Sequence, residues 1–387
     1  MKNVLSTMLI AIATLLLASC GKTNGDEPKP QTVADKTIFV FMPFSGDSYS
    51  LYYNFLTNIG DMEKAIAQNG GLGKNRLVVF IAKDKNKADL IDITYNGKRC
   101  LRDTIATYNS PTYTSIEGRT ALFNQVKLSA PAKKYAMIVG CHGEGWLPVD
   151  KTQRKAATRF FGGATADYQI EITDFATSLS NAGMKLQFLL FDDCYLSCME
   201  VAYDLRNVTD HVIASTSEIM AYGMPYQRIF GYLLQAEPDY SAVCSEFLDF
   251  YNNYDMPFGA IGVTDCSYAA QMADIMKGIN ATHTLDSSKL DKIQDLDAAH
   301  FEPTVYFDFG AYVRNLCGDD SGTYEQFKQV LAKLVPYKAC TKRIYSYSGR
   351  KAIAVDAFSG ITISDPSVNE KVIETKKATN WWKVTHN

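Results

Sequence analysis

Residues 186–194 read LQFLLFDDC, a continuous apolar run that ends in two aspartates and a cysteine. Apolar runs without polar alternation are typical of strands that are buried on both faces of a sheet. A second run of this kind, Tyr135–Gly140 (YAMIVG), continues directly into Cys141-His142-Gly143. The two segments therefore predict two buried strands, each followed at once by a side chain capable of chemistry.

Strands and helices alternate on both sides of these segments. Further buried strands are predicted at Thr37–Met42, Leu77–Ala82 and His211–Ser215. Apolar residues at helical spacing follow the first of these strands, and Gly70 ends that helix. A shorter helix is predicted with Thr173 as its N-cap and Gly183 at its end. Strands that alternate with helices predict an α/β fold with helices on both faces of a mostly parallel sheet.

Composition bounds the number of domains and the class of protein. The chain has 387 residues, 47% of them apolar, which is enough for more than one small module. Its 39 basic and 42 acidic residues give a net charge of −3, so no overall positive field favours nucleic acid as a partner. The alternation weakens late in the chain. We therefore expect a main domain over residues 37–260 and a smaller C-terminal subdomain over residues 261–387.

Residues 1–19 have the features of an export signal, in which one lysine precedes a short apolar run and then small residues. The sequence Leu17-Ala18-Ser19-Cys20 resembles a bacterial lipobox, which implies signal removal and lipid attachment to Cys20. Residues 20–36 then read as a polar tether. A plain secretory signal is the alternative. The lipobox predicts a protein held by lipid at the bacterial envelope or cell surface.

Eight cysteines remain besides Cys20. An exported chain could pair them in disulfides, but several lie in or beside apolar runs, where buried free thiols are usual. Cys194 and Cys198 are the one close pair, and no histidines cluster near them, so a zinc site is not expected. The sequence calls for no metal and no cofactor.

His142 and Cys194 are expected at the same edge of the sheet, where the carboxyl ends of parallel strands bring their loops together. Nucleophilic acyl transfer needs a thiolate, an imidazole that moves protons, and backbone N–H donors. Gly143 allows close approach of the backbone, and Cys194 is expected to open a helix whose dipole lowers its thiol pKa. Singly, a histidine or a cysteine is more often structural. Together they satisfy the needs of nucleophilic acyl transfer.

Further segments resemble the clostripain family (C11) of cysteine peptidases, in the same order as in that family. They are TIFVFMPFSGD (37–47), HGEGW (142–146), FDDCYLSCMEVAYDLR (191–206) and AFSGITIS (357–364). The resemblance extends over about residues 37–387. It implies a caspase-like α/β/α sandwich and a cysteine endopeptidase. By position, Cys194 would be the nucleophile, His142 the acid and base, and the main-chain N–H groups of Gly143 and Cys194 the oxyanion hole.

The resemblance also implies protein or peptide substrates that are cleaved after Arg or Lys. Asp192 matches the family's acidic residue at the floor of the substrate pocket, where it would pair with a cationic side chain. Its alternative role is to cap the following helix. Many relatives carry a second acid in the loop after the next strand, where this chain has Tyr222. Glu218 is the candidate substitute for that acid.

Relatives are matured by self-cleavage between the histidine and the cysteine. The resemblance therefore implies cleavage in residues 150–159 (DKTQRKAATR), where a solvated charged loop is the alternative. The candidate positions are Lys151, Arg154, Lys155 and Arg159. Calcium assists some relatives, but no D-x-D-x-D-G loop supports calcium stimulation here.

The sequence also bears on two other functions. A surface-exposed binding protein could keep this scaffold with weak or no catalytic activity, and the aromatic loop at residues 219–226 is the feature that favours it. A dinucleotide-binding enzyme is excluded, because the first strand leads into Pro43-Phe44-Ser45-Gly46-Asp47 without a G-x-G-x-x-G turn.

Overall fold

The computed structural model describes residues 32–46, 51–149 and 161–386. The first half contains β1 (Ala34–Met42), α1 (Tyr52–Gln68), β2 (Arg76–Asp84), β3 (Lys87–Tyr95), β4 (Cys100–Tyr108), α2 (Ile116–Ser129), β5 (Ala132–Gly140), β6 (His142–Gly143), β7 (Phe161–Gly162), β8 (Gln169–Ile170), α3 (Ile172–Asn181), β9 (Leu186–Asp192), α4 (Met199–Leu205) and β10 (His211–Ala214). The second half contains α5 (Tyr226–Leu234), α6 (Tyr240–Asn252), β11 (Ala260–Asp265), α7 (Ala269–Thr282), β12 (Phe307–Asp308), α8 (Phe309–Cys317), α9 (Ser321–Leu334), β13 (Tyr337–Cys340), β14 (Arg343–Ser346), β15 (Lys351–Ala354), β16 (Thr362–Ile363), α10 (Glu370–Ile373) and α11 (Asn380–Thr385).

Within the described residues, one sheet of nine strands has the order β13-β11-β10-β9-β5-β1-β2-β3-β4. The central strands from β10 to β2 are parallel to one another. Towards both edges the pairing is antiparallel, from β10 to β11 and β13 and from β2 to β3 and β4. The prediction of an α/β fold with a mostly parallel central sheet is confirmed.

Both faces of the sheet are covered, and β1 shows how. Phe39 and Phe41 lie in one apolar core, together with buried residues of α2 and α3. Ile38 and Val40 alternate with them and lie in a second core, together with residues of α1, α5 and α6. All four side chains are fully buried. Burial of such a side chain stabilises the fold by roughly 1.5–3 kcal/mol, which explains why these strands are continuous apolar runs.

Two details of the sequence interpretation are wrong. The short helix α3 begins at Ile172 with Glu171 as its N-cap, so Thr173 lies inside the first turn and does not cap it. The hairpin β3–β4 was not anticipated, because β4 is largely exposed at the sheet edge and carries no continuous apolar run. An edge strand of this kind has little burial to reveal it in the sequence.

The C-terminal part adds strands and helices to the same framework. A third apolar core joins α7, α8, α9 and α11 to α4, and Trp381 is its largest fully buried side chain. The expected boundary between residues 260 and 261 falls at the start of β11, which is itself a strand of the central sheet. Val33–Asn387 forms one compact unit by its internal contacts.

The eight cysteines of the described residues are free thiols. In the same part of the chain, no helix combines the length and the apolar character needed to cross a bilayer. The predicted signal and Cys20 lie outside the described residues.

Candidate active site

The two strand ends that the sequence singled out are neighbours in the sheet. β5 and β9 pair in parallel, and Gly140 lies opposite Asp192 at the end of their register. His142 and Cys194 each follow two residues beyond this pair. The expectation that both side chains leave the same edge from adjacent strands is confirmed.

The two loops also contact each other beyond the strands. The Cys141 N–H donates to Asp193 Oδ1 at 2.5 Å, and the Cys141 thiol lies 3.4 Å from Asp193 Oδ2. A Cβ atom at Gly143 would lie 2.4 Å from the Cys194 carbonyl oxygen. Only glycine therefore allows this contact between the histidine loop and the cysteine loop. Asp193, which the sequence interpretation did not single out, joins the two loops from a fully buried position.

Cys194 does not open a helix. It lies in a turn after β9, and α4 begins only at Met199 with Cys198 as its N-cap. The Ile219 N–H lies 3.4 Å from Cys194 Sγ. Burial, and next the Glu218 carboxylate, raise the pKa of the Cys194 thiol well above its ordinary value. The prediction of a thiol pKa lowered by a helix dipole is wrong, so the resting group is a thiol and needs a base.

His142 lies on the short strand β6, opposite Gly162 of β7. Burial lowers the pKa of His142 below its ordinary value. The imidazole is therefore neutral at neutral pH, which is the state that can accept a proton from a thiol.

Asp192 is the last residue of β9, and its side chain is almost fully buried. The Met224 N–H donates to its Oδ1 at 2.8 Å, and Gly223, at φ +75°, packs against the carboxylate so closely that a Cβ would lie 2.5 Å from Oδ1. Burial raises the pKa of Asp192 to about 7, although Tyr226 and the Met224 N–H favour the carboxylate. Asp192 thus contacts the loop after β10 and does not cap α4, whose N-cap is Cys198.

Tyr222, which the resemblance places at the position of the second acid, contacts α1 and α6. Its hydroxyl donates to Asp61 Oδ2 at 2.8 Å, and its ring stacks on Phe250 with 4.7 Å between centroids. The Asn58 side chain donates to its carbonyl oxygen at 3.1 Å. These contacts hold the loop after β10 against the rest of the fold.

Glu218 acts electrostatically on the Cys194 thiol. Its carboxylate accepts a hydrogen bond from the Tyr347 N–H at 3.0 Å and lies 3.9 Å from His300 Nδ1. Burial raises the pKa of Glu218. The two candidate acids therefore have separate contacts, Asp192 with residues 223–224 and Glu218 with Tyr347 and His300.

Glu144 and His300 are neighbours that the sequence interpretation missed. His300 Nε2 lies 2.9 Å from Glu144 Oε2. In the sequence, Glu144 lies two residues after His142 in the HGEGW motif. His300 gave no signal, because only the tertiary structure brings its loop to the sheet edge.

The candidate self-cleavage positions lie outside the described residues. They are Lys151, Arg154, Lys155 and Arg159.

Comparison with known proteins bears on the family and the fold of the chain. The model of the clostripain family matches residues 40–339. The X-ray structure of iotapain, a secreted C11 cysteine protease from Bacteroides thetaiotaomicron, is 42% identical and aligns over 92% of this chain and 100% of its own, with a TM-score of 0.85. An inactive zymogen C11 protease from Parabacteroides distasonis is 27% identical over 92% of this chain and 99% of its own, with a TM-score of 0.78.

A clostripain from Bacteroides thetaiotaomicron, solved in complex with a peptide inhibitor, is 46% identical over 58% of this chain and 99% of its own, with a TM-score of 0.56. A search of the curated proteins found no match. The family match spans most of the chain, and the described sheet is the α/β framework that the resemblance implied. The chain belongs to the clostripain family (C11) of cysteine peptidases and has their caspase-like fold.

Proposed function

We propose that the protein is an endopeptidase with a His142/Cys194 dyad and that it cleaves after Arg or Lys. The observation that carries the dyad is the parallel register of Gly140 and Asp192, from which both side chains leave two residues later. The close contact between Gly143 and the Cys194 carbonyl supports it further.

The protonation states favour a mechanism in which the histidine activates the thiol. The neutral imidazole of His142 takes the proton of the Cys194 thiol as sulfur attacks the scissile carbonyl. The imidazolium then gives that proton to the leaving amine, and an acyl-enzyme remains. Water attacks the acyl group, His142 accepts its proton, and the thiol is regenerated as the acid product leaves.

Main-chain N–H groups of Gly143 and Cys194 are the proposed oxyanion hole. The absence of a side chain at Gly143 supports this role, because it lets the histidine loop and the cysteine loop approach each other and so brings the two backbone segments together. Fixed donors of this kind stabilise the charge that develops on the oxygen during attack.

Asp192 is the proposed partner of the cationic substrate side chain. The peptide part of the inhibitor in the 46% identical clostripain, BTN-VLTK-AOMK, ends in lysine. In this chain Asp192 is the last residue of β9, two residues before Cys194, and Glu218 is a second acid whose charge acts on the cysteine. Tyr222 contributes only a neutral hydroxyl, which is already bound to Asp61.

The proposal is tested with three fluorogenic peptides that differ only in having Arg, Lys or Gln before the cleaved bond. We expect hydrolysis of the Arg and Lys peptides at a much higher kcat/KM than that of the Gln peptide. Equal rates for all three would overturn the specificity. Binding without turnover of any peptide would favour the inactive binding protein instead.

The Asp192→Asn variant should lose selectivity for basic residues. A charge-assisted hydrogen bond contributes about 1.5–3 kcal/mol, so kcat/KM for the Arg and Lys peptides should fall roughly ten- to a hundredfold. The Gln peptide should be nearly unaffected. Asp61→Asn is the matched control, since this acid contacts Tyr222, and it should keep the ratio of Lys to Gln rates. A ratio unchanged in Asp192→Asn would contradict the assignment.

The same variant gives a pH test. Because burial raises the pKa of Asp192 to about 7, its charged form should appear only as the pH rises through that value. The ratio of Lys to Gln kcat/KM in the wild type should therefore increase with pH around 7, and it should be flat in Asp192→Asn. In the unfolded chain the pKa of Asp192 is about 4, so the unfolded chain loses this proton at a lower pH than the folded protein does. This difference lowers the free energy of unfolding as the pH rises from about 4 to about 7. The variant should lack this contribution.

We propose lipid attachment at Cys20 in addition to export, which the secreted relatives support. Cys20→Ser should prevent incorporation of labelled fatty acid and move the protein from the membrane fraction to the soluble one. Cys100→Ser, which alters a partly exposed cysteine of the folded part, is the matched control and should remain labelled. A labelled Cys20→Ser protein would exclude the lipobox interpretation.

A further inference from the structure

A histidine from the C-terminal half lies between two acids of the active-site loops. His300 Nε2 is 2.9 Å from Glu144 Oε2, and His300 Nδ1 is 3.9 Å from Glu218 Oε2. The three side chains are only 10%, 8% and 15% exposed, in the order His300, Glu144 and Glu218. Buried charges of this kind are costly unless they are paired, so the arrangement demands a compensating contact at each end.

The bridge that His300 forms between Glu144 and Glu218 contacts three loops next to the dyad. Glu144 follows His142 by two residues, and Glu218 directly precedes Ile219, whose N–H reaches Cys194 Sγ. The His300 ring lies 5.1 Å from the ring of Tyr195, the residue after Cys194. Movement of His300 would therefore change contacts on both the His142 side and the Cys194 side of the dyad.

Backbone strain is concentrated on the same segments. Among the described residues, the non-glycine positions with positive φ are Tyr195 (62°), Ala298 (52°), Ala299 (61°) and Arg350 (49°). Tyr195 follows the cysteine, the two alanines immediately precede His300, and Arg350 lies in the turn whose Tyr347 N–H binds Glu218. Such conformations cost about 1–3 kcal/mol each and persist where the surroundings enforce them, often at functional sites.

The charges of the bridge act on the cysteine. Glu218 and Glu144 both raise the pKa of the Cys194 thiol, because a nearby negative charge opposes a thiolate. Burial alone would lower the pKa of His300, but its contacts with Glu144, Glu218 and Asp297 outweigh burial and raise the pKa above its ordinary value. A protonated His300 offsets the negative charge beside Cys194.

We propose that His300 is a positioning residue whose imidazolium bridges Glu144 and Glu218, aligns the loops of His142 and Cys194, and offsets the carboxylate charge that opposes the Cys194 thiolate. The inference rests on the proposed dyad and adds a residue that acts through it. His300 Nδ1 is buried without a hydrogen-bond partner, which fits a nitrogen held by the charge of Glu218.

The test compares the reactivity of Cys194 in full-length variants. Iodoacetamide alkylation of the Cys194 peptide is followed by mass spectrometry between pH 6 and pH 9, because alkylation reports the thiolate fraction. His300→Gln should slow alkylation about tenfold at fixed pH, which corresponds to a rise of about one pKa unit. It should lower kcat for the Lys peptide at least tenfold while KM changes less than about threefold.

A second substitution separates charge from packing. The double variant His300→Gln/Glu218→Gln also lacks the Glu218 carboxylate, the larger of the bridge's two carboxylate influences on the Cys194 thiol, and of these two keeps only that of Glu144. Alkylation should therefore return to within about threefold of the wild type. Glu218→Gln alone should alkylate faster than the wild type, and a rate equal to that of the wild type would overturn the proposal that this carboxylate opposes the thiolate, even if His300→Gln does not fold. His283→Gln is the matched control, because His283 lies 3.4 Å from Asp320 outside the site, and it should leave alkylation and kcat unchanged.

Unchanged alkylation in His300→Gln, or no recovery in the double variant, would overturn the role of His300. Failure of the proposed dyad would look different: Cys194→Ala would then retain hydrolysis, whatever the His300 variants do.

Discussion

Replacement of Cys194 by alanine is expected to abolish peptide hydrolysis while the protein stays folded. The thiol is the atom that attacks the substrate, and loss of such a nucleophile costs about 10⁵-fold or more in kcat. Cys194 is only partly buried, so removal of its sulfur leaves the apolar cores intact. Steady-state rates with the Lys peptide and thermal unfolding of the same preparation measure the two parts of the prediction.

Cys198 supplies the matched control for this substitution. It is fully buried, it occupies the N-cap position of α4 without a side-chain hydrogen bond, and its backbone forms an isolated β-bridge with Thr362. Cys198→Ala should lower the melting temperature but retain a kcat within about tenfold of the wild type, because the change creates a small cavity and leaves the dyad in place. An equal loss of kcat in both variants would refute Cys194 as the nucleophile.

His142→Ala is expected to reduce kcat/KM by several orders of magnitude with little change in melting temperature. The imidazole takes the thiol proton and returns it to the leaving amine, so both chemical steps depend on it. Since burial lowers the pKa of His142, the rate with the neutral Gln peptide should fall only as the pH drops below about 6.5, where the imidazole gains a proton. In His142→Ala the residual rate should lack this acid limb.

His211 distinguishes proton transfer from packing. It lies on β10, where its Nδ1 is 3.4 Å from the Gln187 carbonyl oxygen and its ring lies 4.7 Å from that of Tyr240. His211→Ala should lower stability while its pH profile matches the wild type. A contradicting result would be a His142→Ala protein with a much lower melting temperature whose hydrolysis rate, measured at a temperature where it is still folded, equals that of the wild type. His142 would then be structural.

The buried strands could be predicted because their environment is uniform. β9 is buried along its length and β5 from residue 136 to residue 140, so most of these positions favour an apolar side chain and the run is visible in the sequence. β3 and β4 extend the same sheet at its edge, where one face meets solvent and polar residues cost little. Their pairing depends on the neighbouring strand, so the composition of each strand alone does not identify it.

For the site, the sequence by itself predicted that a histidine and a cysteine leave the same edge of the sheet, since parallel strands share one direction. That the two strands are neighbours came from the tertiary structure. Only the tertiary structure decided that Cys194 lies in a turn, that Asp192 contacts residues 223–224, and that His300 joins Glu144 to Glu218. The physical reason is range. Burial of a strand can be recognised from consecutive residues. In contrast, pKa values, loop contacts and ion pairs depend on groups that are distant in the chain and meet only in the folded protein.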